Sequence, residues 1–186
     1  VPGHYRITRR LDPDVRVSVV IPTIGQSVLI WGARRVMVVE AVRSLLDEVA
    51  REALLHDPNA LVAVSATTGL EVDGDPERLH QVVANLLGNA LRHAPPDQPV
   101  RLFARSAPES VVIEVLDTGP GIPPEQAERV FDRFFRADSA RSANDGGAGL
   151  GLAIARWIVE LHGGTITAER NEPHGARMIV TLPDPV

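Results

Sequence analysis

The stretch Asp75 to Pro96, DPERLHQVVANLLGNALRHAPP, constrains this chain more than any other. Asp75 can accept from the unpaired N–H groups of a helix start, and Pro76 at the first helical position sacrifices no hydrogen bond. Pro95-Pro96 stops the helix. Between them Leu79, Val82, Val83, Leu86, Leu87, Ala90, Leu91 and Ala94 recur at helical spacing and cover a little under half of the circumference, so the helix must lie on a core. Steps of three and four bring Arg78, Gln81, Asn85, Asn89 and Arg92 onto the opposite side. Asn forms helices poorly because its amide competes for the backbone, and a solvated face would carry Glu and Arg instead. Two asparagines one turn apart therefore read either as oxygen ligands or as bridges to neighbouring loops.

Around this helix the patterns alternate. Val15 to Ile21 and Ser27 to Trp31 read as the strands of a hairpin, within an N-terminal extension of residues 1–34. Helical spacing predicts a helix over Arg35 to His56, stopped by Asp57-Pro58-Asn59. Leu61 to Ser65 and Glu71 to Asp73 follow as strands, and Val100 to Arg105 with Val111 to Leu116 as an antiparallel pair. After a short helical piece and an aromatic cluster at Val130 to Phe135, a second strong helix is predicted at Leu150 to His162, then strands at Thr165 to Glu169 and Ala176 to Leu182. Helices and strands are intermixed, so residues 35–186 are expected to form one α+β domain, a sheet covered on one face by helices.

Composition narrows the function classes. A length of 186 residues supports one good core, and a net charge of −5 with scattered Arg leaves no basic block for nucleic acid. All 19 basic residues are Arg, so a phosphate site here must use Arg, backbone amides or a metal. The lack of Cys excludes disulfides, thiolate metal sites and a Cys nucleophile, and fits the cytoplasm. The longest apolar stretch, Val15 to Ala33, is interrupted by Arg16, Pro22, Gly25, Gln26 and Gly32, so no membrane span is expected.

Three further stretches carry candidate chemistry. Asp117-Thr118-Gly119-Pro120-Gly121-Ile122 follows a strand; its carboxylate beside two glycines reads either as an acceptor for an exocyclic amine or as the cap of a tight turn. Gly147-Ala148-Gly149-Leu150-Gly151-Leu152 opens the second helix, where free N–H groups favour phosphate. It has neither the dinucleotide fingerprint nor a Walker Lys. Phe131, Phe134 and Phe135 sit beside Arg133 and Arg136, either as core or as the anchor of the polar segment Arg136 to Gly149, which has little to bury and is expected to act as a mobile lid. The His residues show no zinc-ligand spacing, and His80, His93 and His162 read as ordinary helix-surface or helix-end residues.

Taken in order, Asn85-Leu86-Leu87-Gly88-Asn89-Ala90, Asp117-Thr118-Gly119-Pro120-Gly121, Phe131-Asp132-Arg133-Phe134-Phe135-Arg136 and Gly147-Ala148-Gly149-Leu150-Gly151-Leu152 resemble the motifs of the ATP-binding catalytic domain of bacterial sensor histidine kinases, in the group that includes Hsp90, gyrase B and MutL. The resemblance covers Arg35 to Pro183. It implies a two-layer α/β sandwich of Bergerat type, with a mixed, largely antiparallel sheet, and Mg²⁺ and ATP as cofactors. By position, Asn89 would hold the metal with Asn85 supporting it, and Arg92 and Arg136 would meet phosphate. Asp117 would bind the adenine amine and Gly119 and Gly121 would admit the ring, with Ile122, His93 and Phe131 as further cofactor-binding positions. Gly147, Ala148, Gly149, Leu150, Gly151 and Leu152 would wrap the phosphates.

One motif of that family is missing: a His followed by an acidic residue, then Pro four positions on, in a helical hairpin. His56-Asp57-Pro58 is the only His-acidic pair, and its Pro ends a helix. The chain is therefore expected to hold the ATP-binding half of a protein-histidine kinase. Its partners would be a phosphoacceptor His domain or protein and, indirectly, a response regulator. A serine kinase of the anti-sigma-factor type and a non-catalytic nucleotide-binding regulatory module are the alternatives.

Overall fold

The computed structural model describes residues 38–135 and 149–185. The expected N-terminal hairpin, and within the loop Arg136, Gly147 and Ala148, lie outside the described residues. The order of elements is β1 (Val38–Ala41), α1 (Val42–His56), β2 (Val62–Ala66), β3 (Glu71–Gly74), α2 (Pro76–His93), β4 (Val100–Ala107), β5 (Ser110–Leu116), α3 (Gly151–Leu161), β6 (Thr165–Arg170) and β7 (Ala176–Pro183). Two short 3₁₀ turns, Pro124–Gln126 and Arg129–Phe131, follow β5.

The first element corrects the sequence expectation. Helical spacing predicts helix from Arg35, but Val38–Ala41 is a strand that pairs antiparallel with β3, and the helix begins only at Val42. A four-residue Val-Val-Glu-Ala run fits either period, and a partner distant in sequence decides it. The Val42 N–H donates to the Leu70 carbonyl at 3.1 Å, tying the start of α1 to the turn before β3.

The main sheet has the order β2-β4-β5-β7-β6; β2 runs parallel to β4 and every other pair is antiparallel. Register explains the single core. Leu102 stands opposite Val115, Val115 opposite Met178 and Met178 opposite Ala168, so strand alternation puts all four on one face. That face shares its core with Leu45, Leu46 and Val49 of α1, Leu79, Val82, Val83, Leu86, Leu87 and Ala90 of α2, and Ala155, Ile158 and Val159 of α3. Helix α2 contacts α1, α3, β4 and β5, and so sits at the middle of the helical layer. The result is the expected α/β sandwich with a mixed, largely antiparallel sheet.

On the other face of β5, Glu114 is 5% exposed. Its carboxylate accepts from Arg177 Nε and Nη2, both at 2.9 Å, and from Arg105 Nη2 at 3.4 Å. The Arg177 hydrogen bonds hold the Glu114 carboxyl below its ordinary pKa, against the opposing effect of burial, and the charges of Arg177 and Arg105 add to the lowering. A carboxyl lowered on folding contributes stability above its unfolded pKa, and that contribution is lost as pH falls through the folded value. Arg177 remains partly solvated, which limits the effect. Glu114→Gln is expected to cost about 1–3 kcal/mol in urea denaturation at pH 7. The gap between variant and wild type should shrink as the pH falls below about 4.3.

Candidate functional site

Helix α2 carries one wall of the site. Asp75 caps it, accepting from the Arg78 N–H at 3.2 Å, with Pro76 in the first turn. Its apolar stripe is seated on the sheet as expected. Asn85 and Asn89 are half-buried, whereas Arg78, Arg92 and His93 are exposed. The start of α3 covers Asn85: a Cβ added to Gly151 would lie 3.6 Å from both Cγ and Oδ1 of Asn85. Asn85 Nδ2 is buried and has no hydrogen-bond partner among the described residues. Leu150 gives α3 no side-chain cap, so the first N–H groups of that helix lack an internal acceptor.

A histidine at the far end of α3 fixes the pairing of these two helices. His162 Nδ1 lies 2.7 Å from the Ile158 carbonyl, and Nε2 lies 3.1 Å from the Asp75 N–H. A carbonyl only accepts and an amide only donates, so the geometry assigns the donor role to Nδ1 and the acceptor role to Nε2. His162 thus joins the end of α3 to the cap of α2, a role its sequence position does not reveal.

Asp117, at the end of β5, forms the second wall and is 4% exposed. Its N–H donates to the Ala176 carbonyl at 3.0 Å. Its Oδ1 accepts from the Gly119 N–H at 2.8 Å and the Ala176 N–H at 3.1 Å. Among the described residues Oδ2 has no hydrogen bond. So Asp117 does cap a turn, through one oxygen, and keeps the other. Thr118 Oγ1 beside it is buried and has no partner among the described residues. The glycines here are required by space: a Cβ on Gly119 would overlap the His93 carbonyl, which brings the end of α2 against this loop. Gly121 has φ +78° and would meet the Gly175 carbonyl at 2.7 Å.

The aromatic cluster divides. Phe131 is core, with Arg156 5.7 Å from its ring; Phe134 is 70% exposed; Phe135 carries Arg129 at 5.0 Å. The Phe134 N–H donates to the Gly149 carbonyl at 2.9 Å. Ile122 and Leu152 pack against the core from its edge.

The structure thus brings together Asn85 with Gly151, Asp117 with Gly119 and His93, and Gly149 with Phe134. Sequence reasoning missed Asn171 and Gly175, which pack on Asp117. Asn171 reads as a turn residue before Glu-Pro, and nothing local points to a partner 54 positions away. Among the described residues no group of three or more His, Cys, Asp or Glu could hold a metal. The side-chain oxygens of Asn85 and Asn89 on α2 are amides.

Comparison with known proteins agrees with this geometry. A family model described as histidine kinase-, DNA gyrase B- and HSP90-like ATPase matches residues 74–186. The chain is 44% identical over 122 residues to the signal transduction histidine-protein kinase AfsQ2 of Streptomyces coelicolor, covering 66% of this chain and 22% of that protein. The structure superposes on the mycobacterial sensor histidine kinase MprB with a TM-score of 0.69 and 29% identity, covering 78% of this chain and 96% of that one. It superposes on the ATP-binding domain of PrrB from Mycobacterium tuberculosis with a TM-score of 0.66 and 31% identity, covering 81% and 98%. The chain spans less than a third of the length of the curated relatives it matches, between 18% and 27%.

Gly69 and Gly121 share the same left-handed φ, but a Cβ on Gly69 would meet nothing within 4 Å. Gly69→Ala should therefore cost about 1 kcal/mol, the backbone penalty alone. Gly121→Ala should cost about 1–3 kcal/mol more, because the Gly175 carbonyl must move. Parallel denaturation curves of the two variants give the difference.

Proposed function

The chain belongs to the histidine kinase-, DNA gyrase B- and HSP90-like ATPase family, and from that premise we propose that it binds Mg·ATP and passes the γ-phosphoryl group to a histidine on another domain or protein. The family membership and the fold make it an ATP-binding catalytic domain of the sensor histidine kinase type. The acceptor and the response regulator beyond it belong to the proposal, as does action in the cytoplasm, where ATP is found. Among the described residues, no helix is long and apolar enough to cross a membrane.

The observation that carries this reading is that two of the three buried side-chain polar atoms without partners among the described residues, Asn85 Nδ2 and Thr118 Oγ1, lie at this site, the third being His80 Nε2. An amide's two ends are told apart only by the hydrogen bonds they make, so the Asn85 side chain can turn either end to a ligand. Mg²⁺ binds through few protein oxygens and keeps water and phosphate as its other ligands, which suits a donor set of amides. Asn89 would hold it and Asn85 would support the shell; when bound, the ion neutralises charge on the phosphates. Phosphoryl transfer asks mainly for positioning and charge compensation. The amides of Gly149 and Gly151 at the start of α3 supply part of this, Arg92 adds positive charge, and the matched motifs add Arg136, Gly147 and Ala148. Asp117 Oδ2 is left to accept from the exocyclic amine of adenine. Gly119 and Gly121 keep side chains out of the plane of the ring, beside Ile122, His93 and Phe131. The incoming nucleophile is the acceptor imidazole.

By the family resemblance, Asn85 stands where ATP-hydrolysing relatives usually carry a Glu that activates water, and an amide takes up no proton. The site is thereby suited to keep its phosphate for another acceptor.

Asn89→Ala is expected to weaken Mg·ATP binding by more than about tenfold in a fluorescence titration. Unchanged affinity would remove Asn89 from the site. Asn85→Glu is expected to raise ATP hydrolysis, and an unchanged rate would weaken the water-sparing role of Asn85 alone. With a cognate acceptor, the phosphorylated product should be lost in acid as phosphohistidine is; an acid-stable product would favour the serine-kinase reading.

A further inference from the structure

Asn171, in the turn between β6 and β7, is 7% exposed and is one of three buried polar or charged residues among the described residues, with Glu114 and Asp117. Its side-chain Nδ2 donates to the backbone carbonyl of Asp117 at 2.7 Å. Its own N–H donates to the Gly175 carbonyl at 2.9 Å, which closes the turn around the contact. Gly175 has φ +112°, and a Cβ there would overlap the same Asp117 carbonyl. The turn is thus shaped to press its backbone and one amide onto the back of Asp117.

We infer that Asn171 is a positioning residue for Asp117 and a determinant of purine selectivity. This rests on the reading of Asp117 as the adenine acceptor. The N–H of Asp117 is held by Ala176 and its Oδ1 by Gly119 and Ala176, so the carbonyl is the last backbone group to be fixed, and Asn171 fixes it. With all of these in place, Oδ2 has one direction in which to accept. Loss of the Asn171 amide leaves a buried carbonyl unsatisfied, and the strand end relaxes to reach water. The carboxylate then moves with it.

The test is calorimetric titration with Mg·ATP and with Mg·ITP, whose base carries a carbonyl oxygen where adenine carries its amine. Wild type should bind ATP more tightly than ITP. Asn171→Ala should lose about tenfold in ATP affinity and less than about twofold in ITP affinity, so that discrimination collapses. Asn171→Asp keeps the shape but replaces the donor by an acceptor, and should lose discrimination at least as far; it carries the test if the alanine variant does not fold. An equal loss for both nucleotides would make Asn171 merely structural, and unchanged discrimination would overturn the inference while leaving the adenine reading intact. A wild type that binds ATP no better than ITP, or Asp117→Ala with undiminished ATP binding, would overturn the adenine reading and this inference with it.

Discussion

Everything at the site depends on the seating of the apolar stripe of α2. Leu79, Val82, Val83, Leu86, Leu87 and Ala90 are each at most 2% exposed. Burying a Leu or Val contributes about 1.5–3 kcal/mol relative to leaving it in water. An unpaired buried amide such as that of Asn85 costs about 1–3 kcal/mol. The stripe therefore outweighs the orphan several-fold, and the helix cannot roll to satisfy Asn85 without exposing leucines. The core thus fixes the helix, and the helix holds the Asn85 amide where no described residue satisfies it.

Strand β5 does the same for Asp117. It lies between β4 and β7, with Val111, Ile113 and Val115 in the core on one face and Glu114 clasped by Arg177 on the other. A strand held on both faces and both edges has no freedom to shift. The carboxylate at its end is accordingly placed as firmly as the asparagines, though by hydrogen bonds to loops where α2 uses apolar contact. The two walls are joined at one point, where Gly119 lies against the His93 carbonyl. The lack of a side chain there lets the end of a helix touch the end of a strand.

How much of this was legible in the sequence follows from the range of each interaction. The helices α2 and α3 and the hairpin of β4 and β5 announce themselves through local periodicity, caps and turns. β1 does not, because four residues satisfy two periods and their pairing partner lies beyond the following helix. The left-handed Phe134, with φ +64°, breaks the habit of bulky residues and is likewise set by a contact with Gly149. Asp117 was ambiguous between cap and ligand because its two oxygens differ: Oδ1 closes the turn, and Oδ2 has no hydrogen bond among the described residues. Asn85 and Asn89 stood out by composition, yet the cover that the start of α3 gives Asn85 is something the pattern of α2 alone does not contain.

The pairing of α2 with α3 shows how such distant contacts set function. His162 meets Asp75 at one end, and Gly151 meets Asn85 at the other. Helix α3 has 11 residues, about 16 Å of rise, and Asp75 to Asn85 spans about 15 Å along α2. The two helices are thus matched in length between these contacts, so the His162 hydrogen bond fixes where the start of α3 stands over Asn85. Slipping by one turn would carry the free N–H groups of α3 about 5.4 Å away from the asparagines. It would also remove the ring from Gly74, where a Cβ would come within 2.8 Å of His162 Cδ2 and so leaves room only for glycine. A residue a helix length away from Asn85 thereby holds the start of α3 and that asparagine in one register, which the proposed action of both on one set of phosphates requires.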